Sequence, residues 1–215
     1  MAGPAETLGV LLAGGASRRY GSPKALAEVG GRALFERGLA TLDAAAGRSV
    51  IVANRPDLFR SSGRDVRADV RPGLGALGGI LTAVTWAAEE DAQVALVLAC
   101  DMPFVPPGLA RALVARAGRQ RVVVPESGGP RGVEPLCAAY GVECLEPIVR
   151  ALDRGDRAVI SFFAEVEVCR LPLADVQEAG DPERMFFNLN RPEERRRAEE
   201  LAASAEPGSG EGPDE

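Results

Sequence analysis

Residues 8–24 read LGVLLAGGASRRYGSPK, a short apolar run followed at once by a glycine-rich loop. A brief apolar run bounded by glycine predicts a buried strand. Gly14 and Gly15 let the backbone approach a ligand closely and aim N–H groups at phosphate oxygens, and Lys24 ends the loop with a positive charge. We therefore predict a strand whose carboxyl end carries a loop for an anionic ligand, although a tight strand-to-helix connection would look the same.

Further strands follow at intervals that leave room for helices. The predicted strands cover residues 49–53, 65–68, 94–99, 121–125 and 166–171, and the predicted helices cover 33–46, 79–90, 107–117, 144–152 and 192–203. Apolar strands without polar alternation favour a doubly wound α/β fold, with a mostly parallel, Rossmann-like sheet and helices on both faces. Ligands bind such sheets beyond the carboxyl ends of the strands. The predicted ligand-binding loops are therefore 13–24, 70–79 and 100–106.

Composition limits the chemistry that the chain can perform. It has 215 residues, of which 46% are hydrophobic, and no histidine. This length suits one domain with its own core, which we place at residues 1–203. Without histidine, Ser-His-Asp and Cys-His nucleophile systems, histidine bases and histidine zinc sites are excluded. Charge stabilisation must come from carboxylates, Lys, Arg, Tyr, Cys, backbone amides or a bound cation.

The net charge is −6, and the last fifteen residues hold four acids and no base, which leaves −2 on residues 1–200. A nearly neutral body argues against a duplex-coating protein, so we expect no nucleic-acid partner. Apolar runs such as 94–100 are too short to span a bilayer, and no base precedes the first one as in a secretory signal. We expect a cytoplasmic protein with no membrane partner and with a disordered acidic tail over 204–215.

Lys24 is the only lysine among 25 basic residues, the others being arginine. An ammonium is a compact point charge, and a planar guanidinium does not replace it between phosphate oxygens. In a chain that otherwise uses arginine, a single lysine inside the first loop favours a role in binding phosphate over a merely structural one.

An acidic residue follows the clearest buried strand, residues 94–99. Asp101 lies in Cys100-Asp-Met-Pro103, just beyond the carboxyl end of that strand. Mg²⁺ takes one or two carboxylates together with substrate phosphate oxygens, whereas a structural Asp would start a turn or cap a helix. Because the carboxyl ends of parallel strands meet at one edge, the loop with Lys24 and Asp101 would face the same ligand. This favours Asp101 as a Mg²⁺ ligand.

Five segments in order resemble the molybdenum cofactor guanylyltransferases, a branch of the nucleotidyltransferase superfamily. They are residues 12–24, Gly75-Ala-Leu-Gly-Gly79, Cys100-Asp-Met-Pro103, Glu134-Pro-Leu-Cys137 and Phe187-Asn-Leu-Asn-Arg-Pro-Glu193, and the resemblance covers roughly residues 8–201. It implies a Mg²⁺-dependent transfer of GMP from GTP to the terminal phosphate of molybdopterin, which releases pyrophosphate and forms molybdopterin guanine dinucleotide. The attacking phosphate is largely deprotonated near neutral pH, so a chain without histidine suffices.

The resemblance also implies roles for single residues. The backbone of Leu12, Ala13, Gly14 and Gly15 would bind the nucleotide, with Asp69 on the same side. Lys24, Arg19 and Asp101 would act in catalysis, and Asp101 would hold the metal. The residues implied on the acceptor side are Glu134, Arg157, Asn188 and Asn190. The nucleotide-binding half would span about 7–120, and the acceptor-binding half about 121–203.

The sequence departs from the family pattern at four positions. Tyr20 stands where the family usually has Met, and Pro23 where it often has Asp. Val52 replaces an Asn that contacts the nucleotide in some relatives, and Asn54 lies two residues on, on the same face of an extended strand. Glu134 precedes Pro135 where Gln or His is commoner, and this bears on the acceptor side.

Two other functions remain open from the sequence. One is a cytidylyltransferase that acts on molybdopterin or on a sugar or polyol phosphate, because base choice depends on backbone hydrogen bonds around 12–15 and 75–79. The other is a catalytically idle nucleotide-binding regulator or adaptor for a molybdoenzyme, against which the intact Lys24 and Asp101 argue. The implied partners are GTP and molybdopterin as substrates, and a molybdenum cofactor carrier or a molybdoenzyme as recipient.

Overall fold

The computed structural model describes residues 2–14 and 24–204. A sheet in the order β5-β4-β1-β6-β8-β7-β9 forms its centre, and β2 and β3 form a separate hairpin. The strands are β1 Thr7–Leu12, β2 Glu28–Val29, β3 Arg32–Ala33, β4 Arg48–Val52, β5 Val66–Arg67, β6 Val94–Ala99, β7 Arg121–Pro125, β8 Cys137–Gly141 and β9 Glu167–Leu171. The α-helices are α1 Leu34–Asp43, α2 Gly75–Glu89, α3 Pro107–Arg116, α4 Leu145–Asp153, α5 Leu173–Glu178, α6 Pro182–Met185 and α7 Arg195–Ala203.

The two central strands, β1 and β6, run parallel and end at the same level. Leu12 pairs with Ala99 on one side of β1 and with Val52 of β4 on the other. All six residues of β6 are buried, because both faces of the sheet are covered. The loops that follow β1 and β6 therefore leave the sheet side by side.

Helices cover both faces of the sheet, which confirms the doubly wound α/β fold. On one face Leu11 and Leu98 pack with the residues of α1 and α3. On the other face Val10 and Val97 pack with α2 and α4. Successive strand residues thus pack into two separate apolar layers, one on each face of the sheet. This explains why the strands show no polar alternation.

One strand of the sheet, β8, has no counterpart among the predicted strands. It reads Cys137-Ala-Ala-Tyr-Gly141 and runs antiparallel between β6 and β7. Alanine and glycine have low strand propensity, so the segment carries little local signal. Packing requires these small residues, because a Cβ on Gly141 would lie 2.2 Å from the carbonyl oxygen of Arg119.

The second helix begins four residues earlier than the sequence indicates. We expected residues 70–79 to be a loop, but α2 starts at Gly75. A Cβ on Gly79 would lie 3.3 Å from the side chain of Leu12, so this glycine lets α2 pack closely on the end of β1. The short helices α5 and α6 were also absent from the prediction, since four to six residues show little periodicity.

The chain's four cysteines are free thiols, and three of them are buried. In the part of the chain that the structure describes, no helix is long and apolar enough to cross a membrane. The expected acidic tail lies outside the described residues from 205 onward.

Candidate active site

Three side chains from distant parts of the chain meet beyond the carboxyl ends of β1 and β6. The Lys24 Nζ donates to Asp101 Oδ2 at 2.9 Å and to Asn190 Oδ1 at 3.0 Å. The side chains of Lys24 and Asp101 are 15% and 25% exposed, so the ion pair is largely but not completely shielded from solvent. The structure thus joins the two residues that the sequence singled out and adds Asn190 to them.

Backbone hydrogen bonds hold this cluster in place. The N–H of Cys100 donates to the Leu12 carbonyl at 3.1 Å, which fixes the turn after β6 against the end of β1. The N–H of Leu189 donates to the Asp101 carbonyl at 2.9 Å. The segment that carries Asn190 is therefore attached to the Asp101 turn.

A small apolar cluster anchors the segments that supply Lys24 and Asn190. Val29 and Leu34 from the hairpin region pack against Leu189 and against Ala198 of α7, and all four are fully buried. Burying such aliphatic side chains contributes roughly 1.5–3 kcal/mol each relative to exposure. The terminal helix is thus part of the scaffold of the site.

Asp101 meets the requirement for a divalent-cation ligand. Its Oδ2 accepts from Lys24, whereas its Oδ1 is buried without a hydrogen-bond partner among the described residues. A buried, unpaired carboxylate oxygen is unfavourable unless a ligand satisfies it. Within residues 2–14 and 24–204 no three Asp, Glu or Cys side chains gather around a common point. A cation here would take one protein carboxylate and the remaining oxygens from substrate and water.

A second polar pair lies near Gly14. The Asn54 Nδ2 donates to Asp69 Oδ2 at 2.9 Å, and the Asp69 N–H donates back to Asn54 Oδ1 at 3.2 Å. A Cβ on Gly14 would come within 3.7 Å of Asn54 Nδ2. The family resemblance implies that Asp69 lies on the nucleotide side. Asn54, two residues after Val52, is hydrogen-bonded to Asp69 and lies beside it.

The backbone at the end of β1 continues the sheet by one residue. The N–H of Ala13 donates to the Val52 carbonyl at 2.9 Å, and the Leu12 carbonyl accepts from Cys100. These bonds fix the chain as it leaves the sheet toward Gly14. Gly15 and Arg19, which we expected in the nucleotide-binding and catalytic sets, lie outside the described residues.

Glu134 lies close enough to Asp101 for the two charges to interact. Burial of its carboxyl, with the nearby Asp101 charge as a smaller cause, raises the pKa of Glu134, although backbone bonding at Leu136 and the charge of Arg131 oppose this. The protonated form of Glu134, which can donate a hydrogen bond, therefore persists to a higher pH than that of an exposed glutamate.

Cys100 is adjacent to Asp101 but has no nucleophilic character. Burial, with the Asp101 charge as the second cause, raises the pKa of Cys100 to about 12. Because the thiolate is the reactive form, a buried thiol of this kind is inert near neutral pH. It packs in the core beneath the site.

Two residues expected on the acceptor side make no described contact with Lys24 or Asp101. The guanidinium of Arg157 donates to the carbonyls of Leu152 and Asp156, at the end of α4. The Asn188 amide donates to the Phe186 carbonyl. The described contacts therefore join only Asn190 of these acceptor-side residues to the Lys24–Asp101 pair by a hydrogen bond.

Glu194 was overlooked by the sequence analysis because it precedes a run of charged residues. Its Oε2 accepts from the N–H of Asn190 at 2.5 Å and from the N–H of Arg191 at 3.0 Å. It thus fixes the backbone that presents the Asn190 side chain to Lys24. The spacing of Asn190 and Glu194, four residues apart across Pro192, is the signal that could have identified this turn.

The chain is similar to known proteins over most of its length. The model of the MobA-like NTP transferase domain matches residues 9–168. A probable molybdenum cofactor guanylyltransferase of Pelotomaculum thermopropionicum is 34% identical over 203 residues, with 94% of this chain and 97% of that protein covered. A probable molybdenum cofactor guanylyltransferase of Bacillus subtilis is 32% identical, with 84% and 88% covered.

Solved structures share the fold. The molybdopterin-guanine dinucleotide biosynthesis protein A of Archaeoglobus fulgidus superposes with a TM-score of 0.74 at 25% identity, and covers 92% of this chain and 99% of its own. A 2-C-methyl-D-erythritol 4-phosphate cytidylyltransferase of Thermus thermophilus gives 0.65 at 19% identity, with 90% and 98% covered. The second likeness concerns the fold alone.

Proposed function

The chain belongs to the MobA-like NTP transferase family, and on this premise we propose that it transfers GMP from GTP to the terminal phosphate of molybdopterin. An oxygen of the acceptor phosphate attacks the α-phosphorus of GTP. The bond from that phosphorus to the oxygen bridging to the β-phosphate breaks, and pyrophosphate leaves. The products are molybdopterin guanine dinucleotide and pyrophosphate.

The observation that carries the proposal is the Lys24–Asp101 pair, 2.9 Å apart beyond the carboxyl ends of two parallel strands. A cation and a carboxylate at this edge can neutralise and hold a phosphate chain. Neither group need transfer a proton, because the acceptor phosphate is already an anion. Alignment and charge neutralisation are then sufficient for catalysis.

Each residue of the cluster has a separate task in this proposal. Lys24 contacts a phosphate oxygen of the nucleotide, and Asn190 fixes the position of its ammonium. Asp101 would hold Mg²⁺, and its buried Oδ1, which has no described hydrogen-bond partner, fits this task. When bound, the cation neutralises charge on the phosphate oxygens. Arg19 adds a second positive charge in catalysis.

The two halves of the chain divide the substrates between them. Residues 7–120 bind the nucleotide, with Leu12 to Gly15 along its backbone and Asp69, held by Asn54, beside it. Residues 121–203 bind the acceptor through Glu134, Arg157, Asn188 and Asn190. The bond from Lys24 to Asn190 supports this division because it joins the two halves at the point of transfer. The product passes in the cytoplasm to a carrier or a molybdoenzyme.

Nucleotide-dependent stabilisation tests the binding half of this proposal. A ligand that binds only the folded chain, at a hundred times its Kd, adds about 2.7 kcal/mol to the free energy of unfolding. We expect GTP with Mg²⁺ to raise the unfolding midpoint, and CTP, ATP and UTP to raise it much less. Selective stabilisation by CTP would favour the cytidylyltransferase function, and no stabilisation by any nucleotide would contradict the proposal.

A further inference from the structure

A cavity of about 450 Å³ lies between α1, the segment 103–107 that follows β6, and α6. This volume lies within the range of pockets that bind small molecules. Lys24, Asp101 and Asn190 are not among the described residues that line it, so it is distinct from that cluster. Its walls combine apolar groups, among them Phe104 and Met185, with several guanidinium groups.

Three arginines line this cavity, which we call the arginine pocket: Arg32, Arg37 and Arg184. Most arginines in the described part of the chain form an ion pair with Asp or Glu, as Arg48 does with Asp65. The three arginines of the pocket form no ion pair with a described residue. Cations that lie close together with little compensating negative charge repel one another, and an anionic ligand would relieve this repulsion.

Two of these guanidinium groups are held in defined positions. The Arg37 Nε and Nη2 donate to the Val29 carbonyl at 2.8 and 2.6 Å, which leaves Nη1 for another acceptor. The Arg184 guanidinium carbon lies 5.4 Å from the centre of the Phe104 ring. Partial burial, followed by the charge of Arg32, lowers the pKa of Arg37. The positive charges of the pocket therefore act on one another.

Two described carboxylates, those of Asp181 and Glu199, lie near these arginines, and both accept hydrogen bonds from backbone N–H groups. Asp181 lines the pocket, and its Oδ1 accepts from the N–H of Glu183 at the start of α6. Glu199 lies near Arg37, and its Oε2 accepts from the N–H of Gly30 at 2.8 Å. They reduce the positive charge of the pocket without cancelling it.

We propose that the arginine pocket is a second anion-binding site, for a small molecule that carries a di- or triphosphate group. Guanidinium forks match phosphate oxygens geometrically, and three of them suit a chain of several phosphate charges better than a single carboxylate. Phe104 and Met185 provide apolar contact for an organic part of the ligand. This site does not depend on the proposed function.

The pocket adjoins the segments that hold the active site. Phe104 lies three residues after Asp101, and its ring packs against Phe187 with centres 6.2 Å apart. Leu189, two residues after Phe187, donates its N–H to the Asp101 carbonyl. A ligand over Phe104 would therefore contact the same two segments that position Asp101 and Asn190.

Isothermal titration calorimetry with inorganic pyrophosphate, in the absence of divalent cations, tests the proposal. The titrated proteins are the wild type, the double variant R32Q/R184Q and the matched double variant R60Q/R170Q. Arg60 and Arg170 are exposed, form no ion pair with described residues and lie outside the pocket lining. The side chains of Arg32 and Arg184 make no described hydrogen bond, so we expect the fold to persist, as circular dichroism would verify.

We expect R32Q/R184Q to bind one equivalent of pyrophosphate fewer than the wild type, and R60Q/R170Q to bind as many as the wild type. If the double variant unfolds, the single variant R184Q takes its place. We expect R184Q to lower the affinity of the arginine pocket for pyrophosphate at least tenfold. If the proposed function is wrong, no protein of the three should bind pyrophosphate at Lys24. The wild type would still bind one equivalent more than R32Q/R184Q. Equal stoichiometry and affinity in all three proteins would overturn the proposal. A parallel titration with GTP distinguishes a nucleotide from free pyrophosphate as the ligand.

Discussion

At the Lys24–Asp101–Asn190 cluster, one ammonium is shared between a carboxylate oxygen at 2.9 Å and an amide oxygen at 3.0 Å. An ammonium has three N–H donors arranged around one atom, so it binds oxygen acceptors as a compact point charge. A guanidinium is planar, and its two terminal nitrogens lie farther from the backbone than the Nζ of lysine. The identity of this cation, and not only its charge, should therefore matter.

Substituting Lys24→Arg tests whether charge alone suffices. We expect kcat to fall roughly tenfold or more, since the larger planar group cannot occupy the position between Asp101 and Asn190. Steady-state turnover measures the loss, and Arg60→Lys, a change at an exposed position, provides the matched control. Full activity in Lys24→Arg would contradict a specific role for the only lysine.

Glu194 is a positioning residue that acts through Asn190. We expect Glu194→Ala to lower kcat about 3- to 30-fold, because the backbone that presents the Asn190 amide loses its acceptor. Glu194→Gln retains an acceptor oxygen and should recover most of the activity. The adjacent Glu193→Ala is the control, and turnover of the three variants is the measurement. Equal activity in Glu194→Ala and Glu193→Ala would rule out this role.

At the level of elements, the apolar strands were predicted well because burial determines them. The strand over 94–99 was predicted with the bounds that β6 has, and the loop after it carries Asp101 as expected. The antiparallel strand β8 was missed because its small residues are selected by close packing and not by strand propensity. The position of Lys24 and Asp101 at one edge of the sheet followed from the topology of a parallel sheet. The hydrogen bond from Lys24 to Asn190 did not, since only the folded chain brings residue 190 to residue 24.

The close packing of β8 can be tested at Gly141. We expect Gly141→Ala to lower the free energy of unfolding by about 1–3 kcal/mol, because the new Cβ would overlap the Arg119 carbonyl oxygen. Gly118→Ala, where a Cβ has no neighbour within 4 Å, should change it by less than about 0.5 kcal/mol. Urea unfolding measures both variants, and equal midpoints would show that β8 tolerates side chains at its end.

For the whole molecule, the site is assembled from segments far apart along the chain, and the charges around it also affect the stability of the fold. The raised pKa of Glu134 means that the folded chain retains a proton that the unfolded chain releases near the ordinary value of 4.5. The folded state then binds more protons, and stability decreases as the pH rises from that value through the raised pKa.

Substituting Glu134→Gln should remove this pH dependence of the stability. We expect the variant to unfold at a higher temperature than the wild type at pH 7, because the wild-type carboxyl must lose its proton in a partly buried position near Asp101. The difference should decrease as the pH falls through 4.5 and should be smallest at pH 4, because the carboxyl then becomes neutral in both states. Thermal unfolding from pH 4 to pH 8 provides the measurement. A constant difference across this range would show that the charge of Glu134 is not its cause.

The transfer reaction itself is the most direct test of the proposed function. Purified protein with Mg²⁺, molybdopterin and GTP labelled at the α-phosphorus should place the label in a dinucleotide and release one pyrophosphate for each molecule formed, whereas labelled CTP should not react. In Asp101→Asn this turnover should fall roughly 10²- to 10³-fold with the unfolding midpoint nearly unchanged. Absence of labelled dinucleotide from the wild type, or near-wild-type turnover in Asp101→Asn, would contradict GMP transfer at the Lys24–Asp101 site.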